Sequence, residues 1–314
     1  MKIKMRKIQS ENDFWKIRAF LRKVMLLNDL RERSWHVARW DYWRWHGIEN
    51  CGNDPLMESI LIWETLHGEI AAVVNPENRN CIYFQVHPQY RTGELESEML
   101  AAAEKYLAFP NNEGKARLHL FAPENDSLRE NLLGNHGYTL GTGVETQNRR
   151  LISREVPEAT IAAGFTIRSL GDASELPARS WASFRGFHPK DPPENYEGWQ
   201  WYLNVQRCPL YRRDLDMVAV APDGDIASFC TIWYDDFTLT AYYEPVATPP
   251  EYQRKGLARA CMMEGLRRLQ KLGCVLAFIN SEEPAAQKFY HTIGFGEHEV
   301  NREWVKTINA ELAI

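Results

Sequence analysis

Between Val246 and Arg259 the chain reads Val-Ala-Thr-Pro-Pro-Glu-Tyr-Gln-Arg-Lys-Gly-Leu-Ala-Arg. Here residue types and spacing could do chemistry. Gln253, Gly256 and Ala258 fall between a strand-like run and the start of a helical one. Small residues at such a junction let the backbone approach a ligand, and the free N–H groups of a helix's first turn attract phosphate. Arg254, Lys255 and Arg259 add positive charge at the same place. A surface strand-to-helix turn that is merely basic is the plainer alternative.

The neighbouring segments supply the elements that must hold this junction. Asp216 to Val220 and Ile226 to Tyr234 are β-branched and aromatic runs around Pro222-Asp-Gly-Asp, a hairpin signal. A strand is expected from Thr238 to Thr248, after a turn at Asp235-Asp236 whose carboxylates read as solvated turn residues. Leu257, Cys261, Leu266, Leu269 and Leu272 recur at near-helical spacing, and Gly273 closes that helix. Cys274 to Ile279 reads as a buried strand, and Pro284 opens a helix that ends before Gly294-Phe295. The order, an antiparallel meander followed by strand-helix-strand-helix, makes an α/β domain with a mostly antiparallel sheet.

The chain also repeats itself. Arg6 answers to Arg168, Trp43-Arg-Trp45 to Trp199-Gln-Trp201, Gly68-Glu-Ile-Ala71 to Gly224-Asp-Ile-Ala227, Pro88-Gln-Tyr90 to Pro250-Glu-Tyr252, and Gly137-Tyr138 to Gly294-Phe295. All five pairs keep their order at separations of about 155–162 residues, which points to a duplicated domain. The expected division is a first domain over 1–154, a linker over 155–164 and a second domain over 165–314.

Composition excludes several classes. The 314 residues are 44% hydrophobic and 25% charged, as in an ordinary folded protein. No apolar run of about 18 residues would cross a membrane. The charged start, Met1 to Lys7, has no apolar stretch behind it, so no signal peptide and a cytoplasmic location are expected. A net charge of −5 argues against a nucleic-acid partner. Six scattered cysteines without a C-x-x-C pair read as buried reduced thiols, and nine histidines lack ligand spacing, so no metal is expected.

The pattern Gln253-x-x-Gly256-x-Ala258, after a strand ending in Val246-Ala-Thr248-Pro, resembles the acyl-CoA signature of the GNAT N-acetyltransferase superfamily. Ala286-x-x-Phe289-Tyr290-x-x-x-Gly294-Phe295 looks like that family's second signature at the expected distance downstream. The resemblance covers roughly 165–314 directly and the first half only through the repeat. It implies a tandem of two GNAT-like domains, each a mixed, mostly antiparallel sheet flanked by helices (an α+β fold), with a degenerate first copy. One departure is Glu283, where the family often has Asn seven residues before the tyrosine.

What the resemblance implies is acetyl transfer from acetyl-CoA to an amine of a small molecule or peptide, in a monomer or homodimer. Donor contacts would fall on Val246, Ala247, Thr248, Gln253, Arg254, Lys255, Gly256, Leu257, Ala258, Arg259 and Asn280. The donor's pyrophosphate would lie on the helix start, and its pantetheine arm would run beside Val246 to Thr248 like an added strand. Tyr290 stands where the family places the acid that protonates the leaving thiolate; a core aromatic is the other reading. Glu244 is the best candidate for the base, or else a cleft-lining carboxylate that attracts a cationic substrate. An acyl-CoA sensor without turnover is the competing function.

The first copy fails the same test. Aligned on Pro88-Gln-Tyr-Arg91, the signature's small positions hold Glu94 and Glu96, and Leu133 stands where the second copy has Tyr290. A carboxylate about 4 Å from a phosphate costs roughly 4 kcal/mol at a surface-like dielectric, against about 1 kcal/mol from a helix N-terminus. The first domain is therefore expected to be silent. Aromatic clusters at Trp35–Trp45 and at Trp181, Phe184, Phe187, Tyr196 and Trp199–Tyr202 offer a stacking surface or plain packing. Survival of W-x-W in the copy that lost the signature favours packing.

Overall fold

The computed structural model describes residues 2–52, 55–152, 156–281 and 283–309. In chain order the first copy runs β1 (Ile3–Lys7), α1 (Glu11–Leu27), α2 (Val37–Tyr42), β2 (Leu61–Thr65), β3 (Ile70–Asn78), β4 (Cys81–Val86), α3 (Gly93–Tyr106), β5 (Lys115–Pro123), α4 (Ser127–Asn135) and β6 (Thr139–Leu151). The second copy repeats that order: β7 (Thr166–Ser169), α5 (Leu176–Phe187), α6 (Trp201–Val205), β8 (Asp216–Val220), β9 (Ile226–Asp235), β10 (Thr240–Ala247), α7 (Leu257–Lys271), β11 (Leu276–Ser281), α8 (Pro284–Thr292) and β12 (Glu297–Asn309). The repeat read from scattered residue pairs is thus a repeat of elements. Pro88–Tyr90 and Pro250–Tyr252 form matching 3₁₀ turns.

The compact units do not follow one cut at 155–164. One unit comprises 1–43, 51–147 and 298–314, and the other comprises 44–50 and 148–297. The reason is the two long closing strands. β12 pairs with β5 of the first unit in unbroken register from Asn301/Pro123 to Asn309/Lys115. The last residues of β6 serve the second unit, where Asn148 Nδ2 donates to Ile279 O at 3.3 Å and Ile152 N to Val275 O at 3.0 Å. Ile152 and Val156 join the second unit's core with Ala159 and Ala162 packed against it, while most of the other described residues of the stretch expected as a linker are exposed. Glu155, its first residue, lies outside the described residues.

Within the first unit the strand order is β1-β2-β3-β4-β5-β12-β6, and within the second it is β6-β11-β10-β9-β8-β7. Parallel pairing is found at β4/β5 and at β10/β11, each bridged by a helix as parallel strands require. The meander pairs β1/β2, β2/β3, β3/β4, β7/β8, β8/β9 and β9/β10 are antiparallel. β4 and β9 are buried along their whole length, which explains their continuous apolar runs. In α7 the stripe Leu257, Ala260, Cys261, Leu266 and Leu269 turns inward.

Several expectations need correction. Cys51 is exposed, while the other five cysteines are buried; all six are free. Asp235 is fully buried and accepts from Thr238 Oγ1 at 2.7 Å, stitching the turn before β10. The first aromatic cluster does pack: Phe14 stacks on Trp40 at 5.2 Å, and Trp40 meets Trp43 at 5.3 Å. In the second cluster Trp181, Phe184 and Tyr196 touch one another, yet Trp181 and Phe187 stay largely exposed.

A polar group is embedded in the first unit. Arg39 bonds Glu77 at 2.6 Å and Glu145 at 2.9 Å, with its guanidinium over the rings of Trp35 and Tyr83. Glu32 is buried beside it, with Oε2 lacking a hydrogen-bond partner among the described residues. Burial pushes this carboxyl up to about 8, with Arg39 opposing and Glu145 adding to the shift. The fold therefore holds a proton on Glu32 that the unfolded chain releases above about pH 4.5, and stability falls as pH rises through that window, by up to about 1.4 kcal/mol per pH unit. Glu32→Gln should raise the urea midpoint at pH 8 and leave it almost unchanged near pH 4.5; equal effects at both pH values would contradict the shift.

Candidate active site in the second unit

The site begins with a parting of strands. β10 and β11 stay paired from Thr240/Leu276 to Tyr242/Phe278, although β10 runs on to Ala247 and β11 to Ser281. On its other side β10 slips register between Tyr243 and Val246 against β9. The backbone of 244–248 is thereby turned toward an open wedge, with Glu244, Val246, Ala247 and Thr248 all half-buried.

Three contacts fix that wall. Trp233 Nε1 donates to Glu244 O at 2.5 Å, Ser228 Oγ to Ala247 O at 3.1 Å, and Gln253 Nε2 to Thr248 O at 3.2 Å. Gln253 is therefore tied to the strand as well as to the turn. Above the wall, α5 comes so close at Gly186 that a Cβ there would stand 2.8 Å from Ala247 Cβ.

The roof over the wall is anchored by a buried carboxylate. Asp216 accepts from Tyr202 Oη at 2.6 Å, Tyr211 Oη at 2.9 Å and Thr231 Oγ1 at 3.1 Å, and Arg179 Nε lies 3.7 Å away. Arg179, fully buried, has its guanidinium over Phe229. A buried pair like this is valuable as a fixture: removing one partner strands the other's charge. It ties α5 and α6 to β8 and β9.

At the foot of the wedge, Arg254 and Gly256 both take left-handed backbone, with φ of 62° and 75°, and α7 starts at Leu257. Gly256 is the N-cap, so no side chain closes the first turn and its N–H groups remain available. A Cβ on Gly256 would meet nothing within 4 Å, so glycine is needed here for its dihedral angle and the open approach. Gln253, Arg254, Lys255 and Gly256 are exposed; Leu257 is buried, and Ala258 is half-buried. Lys255 rests near the rings of Phe165 and Tyr252. Arg259 turns away to donate to Thr292 O at 2.7 Å. It lines a cavity of about 430 Å³ between α7, the end of α8 and residues 149–151, to which none of the other candidate donor-contact or catalytic residues belongs.

Across the wedge, Asn280 on β11 has Oδ1 buried without a partner among the described residues. Tyr290 of α8 is 9% exposed, and its ring packs near Phe289 and Phe295. Burial first, and the charge of Glu244 second, push its phenol up to about 12. The structure thus brings Tyr290 within electrostatic reach of Glu244. Among the described residues no cluster of metal-ligating side chains occurs, and no helix is long and apolar enough to cross a membrane.

The first unit shows the same geometry closed. β4 and β5 pair only at Cys81/His119 and Ile82/Leu120, and just beyond that point Tyr83 and Phe121 stack at 5.8 Å. Thr92 caps α3 by accepting from Leu95 N at 3.1 Å. Glu96, fully buried, bonds Arg91 Nε at 2.6 Å and Arg129 Nη2 at 2.7 Å. Leu133 is a core residue.

Comparison with known proteins gives the class of this fold. It is similar over nearly the whole chain to a GCN5-related N-acetyltransferase from Sphaerobacter thermophilus (18% identity, TM-score 0.64, 98% of this chain and 96% of that one). It is equally similar to a tandem GNAT protein from the clavulanic acid biosynthesis pathway (11% identity, TM-score 0.64, 98% and 99%). A GNAT-family acetyltransferase from Colwellia psychrerythraea matches at 12% identity with a TM-score of 0.61, over 96% of this chain and 100% of that one. Among the curated proteins none matches. The architecture is that of the tandem GNAT structures. Residues 175–295 match the model of the acetyltransferase (GNAT) family, whose fold supports acyl transfer.

Sequence reasoning missed the residues that hold the wedge in shape: Asp216, Arg179, Tyr202, Thr231, Ser228 and Trp233. They come from four separate elements and carry no shared spacing. Gly186 left a trace, a lone small residue in Trp181-Ala-Ser-Phe-Arg-Gly-Phe187. Gly186→Ala should push α5 off Ala247 and lower stability by about 1–3 kcal/mol in urea titration; an unchanged midpoint would mean that the approach is not tight.

Proposed function

We propose that the second unit is an N-acetyltransferase that moves an acetyl group from acetyl-CoA to an amine of a small molecule or peptide. It would act in the cytoplasm without a metal. The contrast between the copies carries this reading: the same helix start that is capped and backed by a carboxylate at α3 is uncapped, exposed and basic at α7.

The residues present fit such a donor. The first-turn N–H groups from Leu257 to Arg259, with Arg254 and Lys255 beside them, suit a pyrophosphate. Backbone groups of Val246, Ala247 and Thr248, left without β11 as a partner, suit an extended amide-bearing arm. Asn280 offers its unpartnered Oδ1 on the opposite wall. The donor supplies a thioester carbonyl.

The amine nitrogen attacks that carbonyl carbon, the C–S bond breaks, and Tyr290 gives its proton to the departing thiolate. The amine's proton passes to Glu244, directly or through a water, because an ammonium has no lone pair to attack with. A phenol held up to about 12 stays protonated at neutral pH, as an acid must. Its partial burial keeps competing water away.

Tyr290→Phe should lower kcat by about a hundredfold or more and leave acetyl-CoA affinity unchanged, read by thiol release and calorimetry. Equal loss of both would remove the acid role. In the wild type, kcat should show no alkaline decline from this phenol below about pH 11, since the group titrates near 12. Calorimetry with acetyl-CoA should give one site per chain. Two sites would mean that Glu96 does not close the first copy; no binding, or binding with no thiol release across an amine screen, would overturn the proposal.

A further inference from the structure

The first unit has a cavity of about 410 Å³ beside its closed helix start, lined by Asn28, Arg33, Arg91, Asp126 and Arg129 together with an apolar wall. That volume is within the range of small-molecule sites. Its roof is the segment between α1 and α2, set in place by Trp35 N donating to Gln85 Oε1 at 2.7 Å and Val86 N donating to Ser34 Oγ at 3.2 Å.

Its charges are unevenly used. Arg91 and Arg129 are held by Glu96 and Asp126 through Nε and Nη2, which leaves each Nη1 without a hydrogen bond among the described residues. Arg33 makes none with its guanidinium among the described residues, and its ion pair with Glu299 is long, at 3.9 Å. Asn28 Nδ2 is buried with no partner among the described residues. An amide N–H shut away from water without an acceptor costs about 1–3 kcal/mol, which an incoming acceptor would recover. The donors therefore outnumber the acceptors, and Val86, Pro88 and Leu128 supply an apolar wall.

We propose that this cavity binds a small organic oxyanion, a carboxylate or phosphate monoester on a compact apolar body, at a site separate from the donor wedge of the second unit. Arg33 and Asn28 Nδ2 bond its oxygens, and the apolar wall takes its body. Arg91 and Arg129 set the positive potential but stay bound to Glu96. An acyl-CoA is the wrong occupant, because Thr92 and Glu96 occupy the place its pyrophosphate would need.

The test is calorimetry on the full chain with benzoate and with phenyl phosphate, which separates the carboxylate from the phosphate form. At least one should bind at millimolar concentration or below. Arg33→Gln and Asn28→Asp should each weaken it about tenfold or more, Arg33→Lys less, and acetyl-CoA affinity should be untouched in all three. Saturating probe should also protect Arg33 in the wild type from phenylglyoxal, read by mass spectrometry, which keeps the test valid if a variant fails to fold. The proposal is overturned if neither probe binds, if Arg33 is not protected, if folded variants bind as tightly as wild type, or if acetyl-CoA displaces the probe. Because it involves no residue of the second unit, it stands or falls independently of acetyl transfer.

Discussion

Two parallel strands that cease to pair determine the rest of this structure. Backbone N–H and C=O groups facing a gap are obligatory hydrogen-bonding groups, so a parting of strands inside a sheet must be filled. In the second unit β10 and β11 are paired only as far as Tyr242 and Phe278 among the described residues. Everything else near it serves to hold the gap open: the register slip in β10, the Trp233 and Ser228 contacts behind the wall, and the close passage of Gly186 above it. The buried Asp216 keeps the roof from sliding in.

The two copies answer the same constraint differently. In the first, β4 and β5 part as early, but stacked Tyr83 and Phe121 fill the space and Glu96 supplies from within the negative charge that the helix start would otherwise draw from solution. A fully buried carboxylate is stable there because, although burial pushes its pKa up, the guanidinia of Arg129 and Arg91 bring it down below its ordinary value. Internal occupation of this kind leaves the Glu96 carboxylate itself fully paired, which burial of a charge requires.

Much of the second unit was legible because its signals are local. A hairpin turn, a helical stripe of leucines and a Gly at the strand-to-helix junction each act within a few residues, and β8, β9, α7, β11 and α8 appear close to where those signals put them. The repeat was legible for the same reason, since a 3₁₀ turn after Pro88 and Pro250 needs only its own residues. What could not be read depends on distant pairing. The destination of β12 depends on a strand some 180 residues earlier, and Asp235 looked like a solvated turn residue because nothing in its neighbours reports burial. The partners of Asp216 come from four elements, so no window of sequence contains them.

The closing strand also sets an order of events at the ribosome. β5 ends at Pro123, yet the strand that pairs along its edge from Lys115 to Pro123 ends at Asn309. At roughly 5–20 residues per second of synthesis, some ten to forty seconds separate the emergence of the two. For that interval the first copy is complete in sequence and incomplete in structure, with an unpaired edge of the kind that recruits other chains. β6, already made, is the one native strand on hand near that edge until β12 arrives to take its place between them. Duplication has left this protein with a first half that is finished last.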